Sequence, residues 1–115
     1  MTNILIADDH DLVRDTIAAY LETVDSFKVF TAHDLASALE VMSGVDSIDL
    51  LILDYNMPGM NGLQGLERAC TSYPATKVAL MSGVANREIA NNAMERHARG
   101  FIPKSLSATS FINAI

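Results

Sequence analysis

Leu50-Leu51-Ile52-Leu53 and Ile4-Leu5-Ile6-Ala7 are apolar at every position rather than at every second one. A strand with one face in water alternates polar and apolar side chains, so a strand that is apolar throughout must be covered on both faces. In a short soluble chain that requirement points to a parallel sheet held between helices. Three more short, largely apolar runs occur at Phe27-Lys28-Val29-Phe30, Val78–Met81 and Phe101-Ile102. The segments between them have helical period: Val13, Ile17, Tyr20, Leu21 and Val24 fall on one helix face, as do Leu35, Leu39 and Met42, then Leu63, Leu66, Cys70 and Tyr73, and then Ile89, Ala93 and Met94. Asp11, Asp34, Asn61, Asn86 and Ser107 stand where helix N-caps are wanted. The alternation predicts an α/β domain of flavodoxin-like (βα)₅ form, a doubly wound sheet of five parallel strands. The order expected is 2-1-3-4-5, which makes strands 1 and 3 neighbours about 4.8 Å apart.

The 115 residues suffice for one domain, residues 1–115, with a real core. Half of them are hydrophobic and 19% are charged, a globular balance rather than a disordered one. The apolar runs fall far short of the ~20 residues that a membrane-spanning helix needs. Met1-Thr2-Asn3 lacks the basic region of a signal peptide. One cysteine, Cys70, cannot form an internal disulfide; a reduced, cytoplasmic protein with Cys70 as a small core-side residue is expected. A net charge of -6 makes direct nucleic-acid contact by this domain unfavourable, and no membrane association is expected.

In a doubly wound sheet, sites form at the carboxyl ends of the strands. Asp8-Asp9 follow strand 1, Asp54 follows strand 3, Ser82-Gly83 follow strand 4, and Pro103-Lys104 end strand 5. Singly, each has an ordinary explanation: an aspartate caps helices, a serine makes turns, a lysine covers surface. Together they occupy the same topological position in different βα units and converge on one rim. Three carboxylates crowded there oppose one another's ionisation, and a hard divalent cation offsets that cost. Mg²⁺ takes one or two carboxylates with waters and phosphate oxygens in an octahedron.

The segments "ILIADDH", "LLILDYNMPGMNG", "VALMSG" and "GFIPKS" resemble, over essentially the whole chain, the receiver domain of a two-component response regulator. The resemblance implies that Asp54 accepts a phosphoryl group from a histidine kinase or phosphotransfer protein. Asp9 and Asp54 would bind Mg²⁺ directly, with the backbone carbonyl of Asn56 as a third ligand and Asp8 acting through a water. Ser82 would hydrogen-bond the phosphoryl group and Lys104 would pair with it. Phe101 matches the family's aromatic switch position, although an ordinary strand-5 core residue explains it nearly as well. Movement of Ser82 toward the phosphate would let that ring turn inward and change the face built from helix 4, strand 5 and helix 5. Activity of its own would amount to weak self-phosphorylation and autodephosphorylation.

Three departures from the family pattern stand out. Ser105 rather than proline follows Lys104, and a cis bond there would cost ~3 kcal/mol or more, so its conformation is left open. His10 is read as a loop residue beside the acidic pocket, the cation being supplied with oxygens. Val84, two residues beyond Ser82, occupies with Asn56 a place that influences access of water to an acyl phosphate. His33 and His97 are read as surface residues, and Met57, Met60, Met81 and Met94 as packing.

An FMN-binding flavodoxin shares the sheet order but needs a phosphate cradle after strand 1, where this chain has Asp8-Asp9-His10-Asp11. An aspartyl-phosphate phosphatase typically places a second acid two residues after the nucleophile, and here that residue is Asn56. A pseudo-receiver used only for docking fits poorly with an intact acid pocket and lysine. Ser107 to Ile115 starts like a capped helix and stops at an apolar residue after about two turns. A receiver fragment of a longer protein is therefore expected; the segments "DDHDLVRDTI" and "GFIPKS" most resemble receivers joined to a LuxR-type helix-turn-helix domain, which implies a transcriptional response regulator. Phosphorylation would then change homodimerisation or release the output domain. The alternative is a stand-alone receiver that docks on a partner protein.

Overall fold

The computed structural model describes residues 2–45, 47–83, 87–95 and 98–103. The strands β1 (Thr2–Ala7), β2 (Phe27–Ala32), β3 (Leu50–Asp54), β4 (Lys77–Ser82) and β5 (Gly100–Pro103) alternate with the helices α1 (Asp11–Glu22), α2 (Leu35–Gly44), α3 (Gln64–Ser72) and α4 (Arg87–Glu95). All strand pairs are parallel, and their order is β2-β1-β3-β4-β5, as expected from the sequence. The expected fifth helix, with Ser107 as its cap, lies outside the described residues.

The wholly apolar strands owe their composition to burial on both faces. Leu5, Ala7, Leu51, Leu53, Val78 and Leu80 pack on one side with Leu35, Ala38 and Met42 of α2, Leu66 and Ala69 of α3, and Ala93 of α4. Ile4, Ile6, Ile52, Ala79, Met81 and Ile102 point to the other side, against Ala18 and Leu21 of α1. Neighbours along each strand thus go to opposite cores, as the two-residue period of a strand demands. Removing any of the larger side chains leaves a cavity: a Leu→Ala change at such a site costs about 2–5 kcal/mol.

Several local expectations need correction. Asp11 is the first residue of α1, not its cap; His10 holds the cap position with extended backbone and no capping side-chain bond. Asp11 instead makes a 3.0 Å ion pair with Arg14 one turn on, in the first helical turn where an acid suits the helix dipole. Asp34 caps α2 as expected, in a reciprocal box with Ser37. Asn61 does not cap α3, which begins at Gln64 after Leu63. Asn61 has φ of 48°, a left-handed turn that asparagine tolerates. Asn86 lies outside the described residues. Tyr20 and Met94 share the period of a core face yet are half exposed, so Met94 is not a packing residue; Met57, Met60 and Met81 are buried as expected.

The loop after β3 is fastened at two points. Pro58 accepts a 3.2 Å hydrogen bond from the Leu35 N–H. Gly59 has φ of 92°, and a Cβ there would sit 3.0 Å from the Leu35 Cβ. At Gly65 a Cβ would come within 2.8 Å of the Met60 Cα, so the first turn of α3 lies flat on the loop that precedes it.

Candidate acidic metal and phosphoacceptor site

The register pairs Ala7 with Leu53, so Asp8 and Asp54 come next on two adjacent strands. Both are fully buried. Asp8 is held by a 3.1 Å bond from its N–H to the Ala32 carbonyl, and Asp54 ends β3 beside Met81 of β4. The Tyr55 N–H continues that pairing with a 2.8 Å bond to the Met81 carbonyl. Asp9 stands outermost, with its side chain about a third exposed. The Asn56 N–H approaches Asp54 Oδ1 at 3.4 Å, turning the exposed Asn56 back over the carboxylate. Ser82, the last residue of β4, is buried on the same rim.

Carboxylate oxygens of Asp8, Asp9 and Asp54 and a ring nitrogen of His10 all lie within 4.8 Å of one another. Two buried carboxylates and a third at the mouth form a hard oxygen donor set that fits a divalent cation such as Mg²⁺. A cavity of about 670 Å³ lies elsewhere, at the opposite edge of the sheet among Thr2, Ile48, Asp49 and Lys77.

Asp8, Asp9, Asp54, Asn56 and Ser82 are thus brought to one end of the sheet. Phe101 lies on β5 beside Leu80, half-buried against the core that includes α4. Lys104, its bond to Ser105, Val84 and His97 lie outside the described residues. His33 is exposed, with its ring near Asp34 and Ser37.

His10 lies beside the acidic pocket, as expected from the sequence. Its Nδ1 lies 3.1 Å from Asp8 Oδ1, 3.3 Å from Asp9 Oδ1 and 3.8 Å from Asp54 Oδ2. Its backbone N–H also donates to Asp8 Oδ1 at 2.9 Å. The available signal was its place directly after two acids at a strand end. Behind it, Arg14 reaches the Asp8 carbonyl at 3.4 Å and pairs with Asp11 and Asp15. The bond to Asp15, with the charges of both acids, holds the Arg14 pKa above its ordinary value.

Comparison with known proteins agrees with this geometry. Residues 4–115 match the model of the response regulator receiver domain. The chain is 38% identical over its whole length to a glycerol metabolism activator of Pseudomonas putida and covers 52% of that protein. It is 29% identical to the transcriptional regulatory protein LnrK of Bacillus subtilis, again over 52% of it; the chain thus spans about half the length of these curated relatives. Among solved structures, the receiver domain of the putative response regulator NarL from Mycobacterium tuberculosis is 34% identical, with a TM-score of 0.87 over 98% of this chain and 91% of that one. A LuxR family DNA-binding response regulator from Silicibacter pomeroyi is also 34% identical, with a TM-score of 0.86 over 99% of this chain and 88% of that one. With five strands in the shared order and an acid cluster at their carboxyl ends, the chain belongs to the response regulator receiver domain family.

Proposed function

We propose that this receiver is a phosphorylation-dependent switch in which Asp54 is the phosphoacceptor. The observation that supports this most is a fully buried carboxylate at the end of β3 with two further carboxylates within 4.8 Å. An Asp54 oxygen would attack the phosphorus of a phosphohistidine on a histidine kinase or phosphotransfer protein. The P–N bond breaks as the P–O bond forms, and the histidine nitrogen departs with the bonding pair and takes up a proton. Such a transfer depends chiefly on alignment and on neutralising charge at the equatorial oxygens.

Asp9, Asp54 and the Asn56 carbonyl would hold Mg²⁺, with Asp8 acting through a water. When bound, the cation supplies positive charge to the phosphoryl oxygens and relieves the repulsion among the carboxylates. Ser82 would donate to one phosphoryl oxygen, and Lys104 would pair with another as a compact charge on a flexible stem. Once Ser82 is drawn toward the phosphoryl group, Phe101 would repack and change the α4–β5 face. Transcriptional control by the whole protein, through a DNA-binding output domain and a change in dimerisation, is proposed from the names of its relatives. A cytoplasmic location is part of the same proposal. The chain would be a regulator rather than a classical enzyme, with weak self-phosphorylation and autodephosphorylation at most.

The test is incubation with Mg²⁺ and acetyl phosphate, comparing the wild type with Asp54→Asn. Acid-labile phosphate should appear on the wild type and be absent from the variant. Equal incorporation in both would reject Asp54 as the acceptor.

A further inference from the structure

The cavity at the amino ends of the strands has an ordered wall and an apolar lining. Its volume of about 670 Å³ falls within the range of small-molecule sites, roughly 300–1,000 Å³. Met42 and Ile48, both buried, and Val45, Leu50 and Tyr73, all half-buried, supply the apolar surface. The chain between α2 and β3 forms one wall and is pinned from two sides. The Asn3 N–H donates to Asp49 Oδ2 at 2.7 Å, and the Asn3 side-chain amide donates to the Ser47 carbonyl at 2.6 Å. The Thr76 hydroxyl donates to the Ile48 carbonyl at 2.8 Å, and the Lys77 N–H to the Asp49 carbonyl at 3.1 Å. Three successive carbonyls are thus engaged, so a ligand meets a wall already ordered and little conformational freedom is lost on binding.

The rim carries charge of both signs. Asp49 directly precedes β3 and Lys77 opens β4; both are exposed, both border the cavity, and neither makes an ion pair among the described residues. Both α2 and α3 end at the cavity, and neither has a basic residue in its last turn, so the partial negative charge of two helix ends adds to that of Asp49. A ligand with a single charge would leave one of the two side chains unanswered. We propose that this cavity is a binding site for a free α-amino acid with an apolar side chain. Its ammonium would lie at Asp49, its carboxylate at Lys77 and its side chain against Met42, Ile48 and Tyr73. The cavity is at the far end of the strands from Asp54, so the proposal stands apart from the phosphoacceptor reading. It gives the domain a second input, a small metabolite, beside its phosphodonor.

The test is calorimetric titration of the chain at neutral pH with L-phenylalanine, phenylalaninamide, N-acetylphenylalanine and glycine, with backbone amide NMR shifts to locate the binding. The last three compounds lack the carboxylate, the ammonium and the apolar body in turn. L-Phenylalanine should bind saturably and about tenfold or more tightly than each of them, with shifts centred on Ile48, Asp49, Tyr73 and Lys77. Asp49→Asn, whose amide oxygen can keep the bond from Asn3, should weaken L-phenylalanine about tenfold and leave N-acetylphenylalanine unchanged. Lys77→Gln should weaken L-phenylalanine to a similar extent and leave phenylalaninamide unchanged. That change is at an exposed side chain, and it carries the test if Asp49→Asn does not fold. Absence of saturable L-phenylalanine binding would overturn the proposal, and so would shifts centred elsewhere or unchanged affinity in Lys77→Gln. Equal affinity for phenylalaninamide or N-acetylphenylalanine would overturn it too, as the mark of a peptide terminus or a singly charged ligand.

Discussion

Replacing Asp54 by asparagine keeps the shape of the side chain and removes one negative charge from the cluster. The carboxylates of Asp8, Asp9 and Asp54 have oxygens no more than 4.8 Å apart. Two unit charges at 4.8 Å repel by about 0.9 kcal/mol in bulk water and by about 3.5 kcal/mol at an effective dielectric constant of about 20. The 3.4 Å contact from the Asn56 N–H can pass to the amide oxygen. The 3.8 Å contact to the exposed His10 ring contributes at most about 1 kcal/mol. Without divalent cations, Asp54→Asn should therefore be more stable than the wild type by about 1–3 kcal/mol, or roughly 4 °C in Tm for each kcal/mol. Added Mg²⁺ should narrow or reverse the difference, because a ligand stabilises a folded state in proportion to the logarithm of its saturation ratio. Urea unfolding at neutral pH, with EDTA and then with Mg²⁺, measures both effects, and equal m-values would establish that the same transition is compared. A variant no more stable than the wild type in EDTA, with an unchanged m-value, would refute the claim that these carboxylates repel one another in the folded domain.

Two further outcomes bear on the scaffold. Gly65→Ala should destabilise the domain by about 1–3 kcal/mol, because its Cβ would meet Met60 Cα at 2.8 Å and the backbone cannot yield as a side-chain tip can; denaturation at wild-type urea concentrations would contradict this. The Asp34 pKa is lowered, first by the Ser37 hydroxyl and then by the Ser37 N–H. A lowered folded-state pKa means that the stabilisation is fully present above the ordinary carboxylate range and is lost as pH falls below it, through the lowered folded-state value. The stability gap between wild type and Asp34→Ala should thus be constant near neutrality and shrink in acid, and a gap that widened there would contradict the cap.

Much of this was legible in the sequence because it depends on burial and period. Unbroken apolar runs required two covered faces, and the two-sided sheet with order 2-1-3-4-5 followed. Asp8, Asp9, Asp54 and Ser82 could be placed on one rim because each ends a strand, and strand ends are set by the sheet. Helix period was less informative. It put Tyr20 and Met94 on core faces, but period identifies a stripe and not the width of what covers it. Caps failed where the loop had another use for the residue: Asn61 supplies a left-handed turn, and Asp11 lies already inside the helix. The orientation of His10 was not legible at all. It is set by a backbone bond to Asp8 and by the start of α1, neither of which a side-chain pattern records.

The fastening of the loop after β3 has a mechanical corollary. The Pro58 carbonyl is tied to the start of α2, Gly59 rests on Leu35, Met57 and Met60 are sunk in the core, and the first turn of α3 lies on Met60. One wall of the acid pocket is thus clamped to two helices at once, and it cannot be displaced without dragging the first turn of α2 along. A push delivered at Asp54 meets a stiff abutment on that side. Compliance has to come from elsewhere around the rim, much as a vice with one fixed jaw directs all its travel to the other.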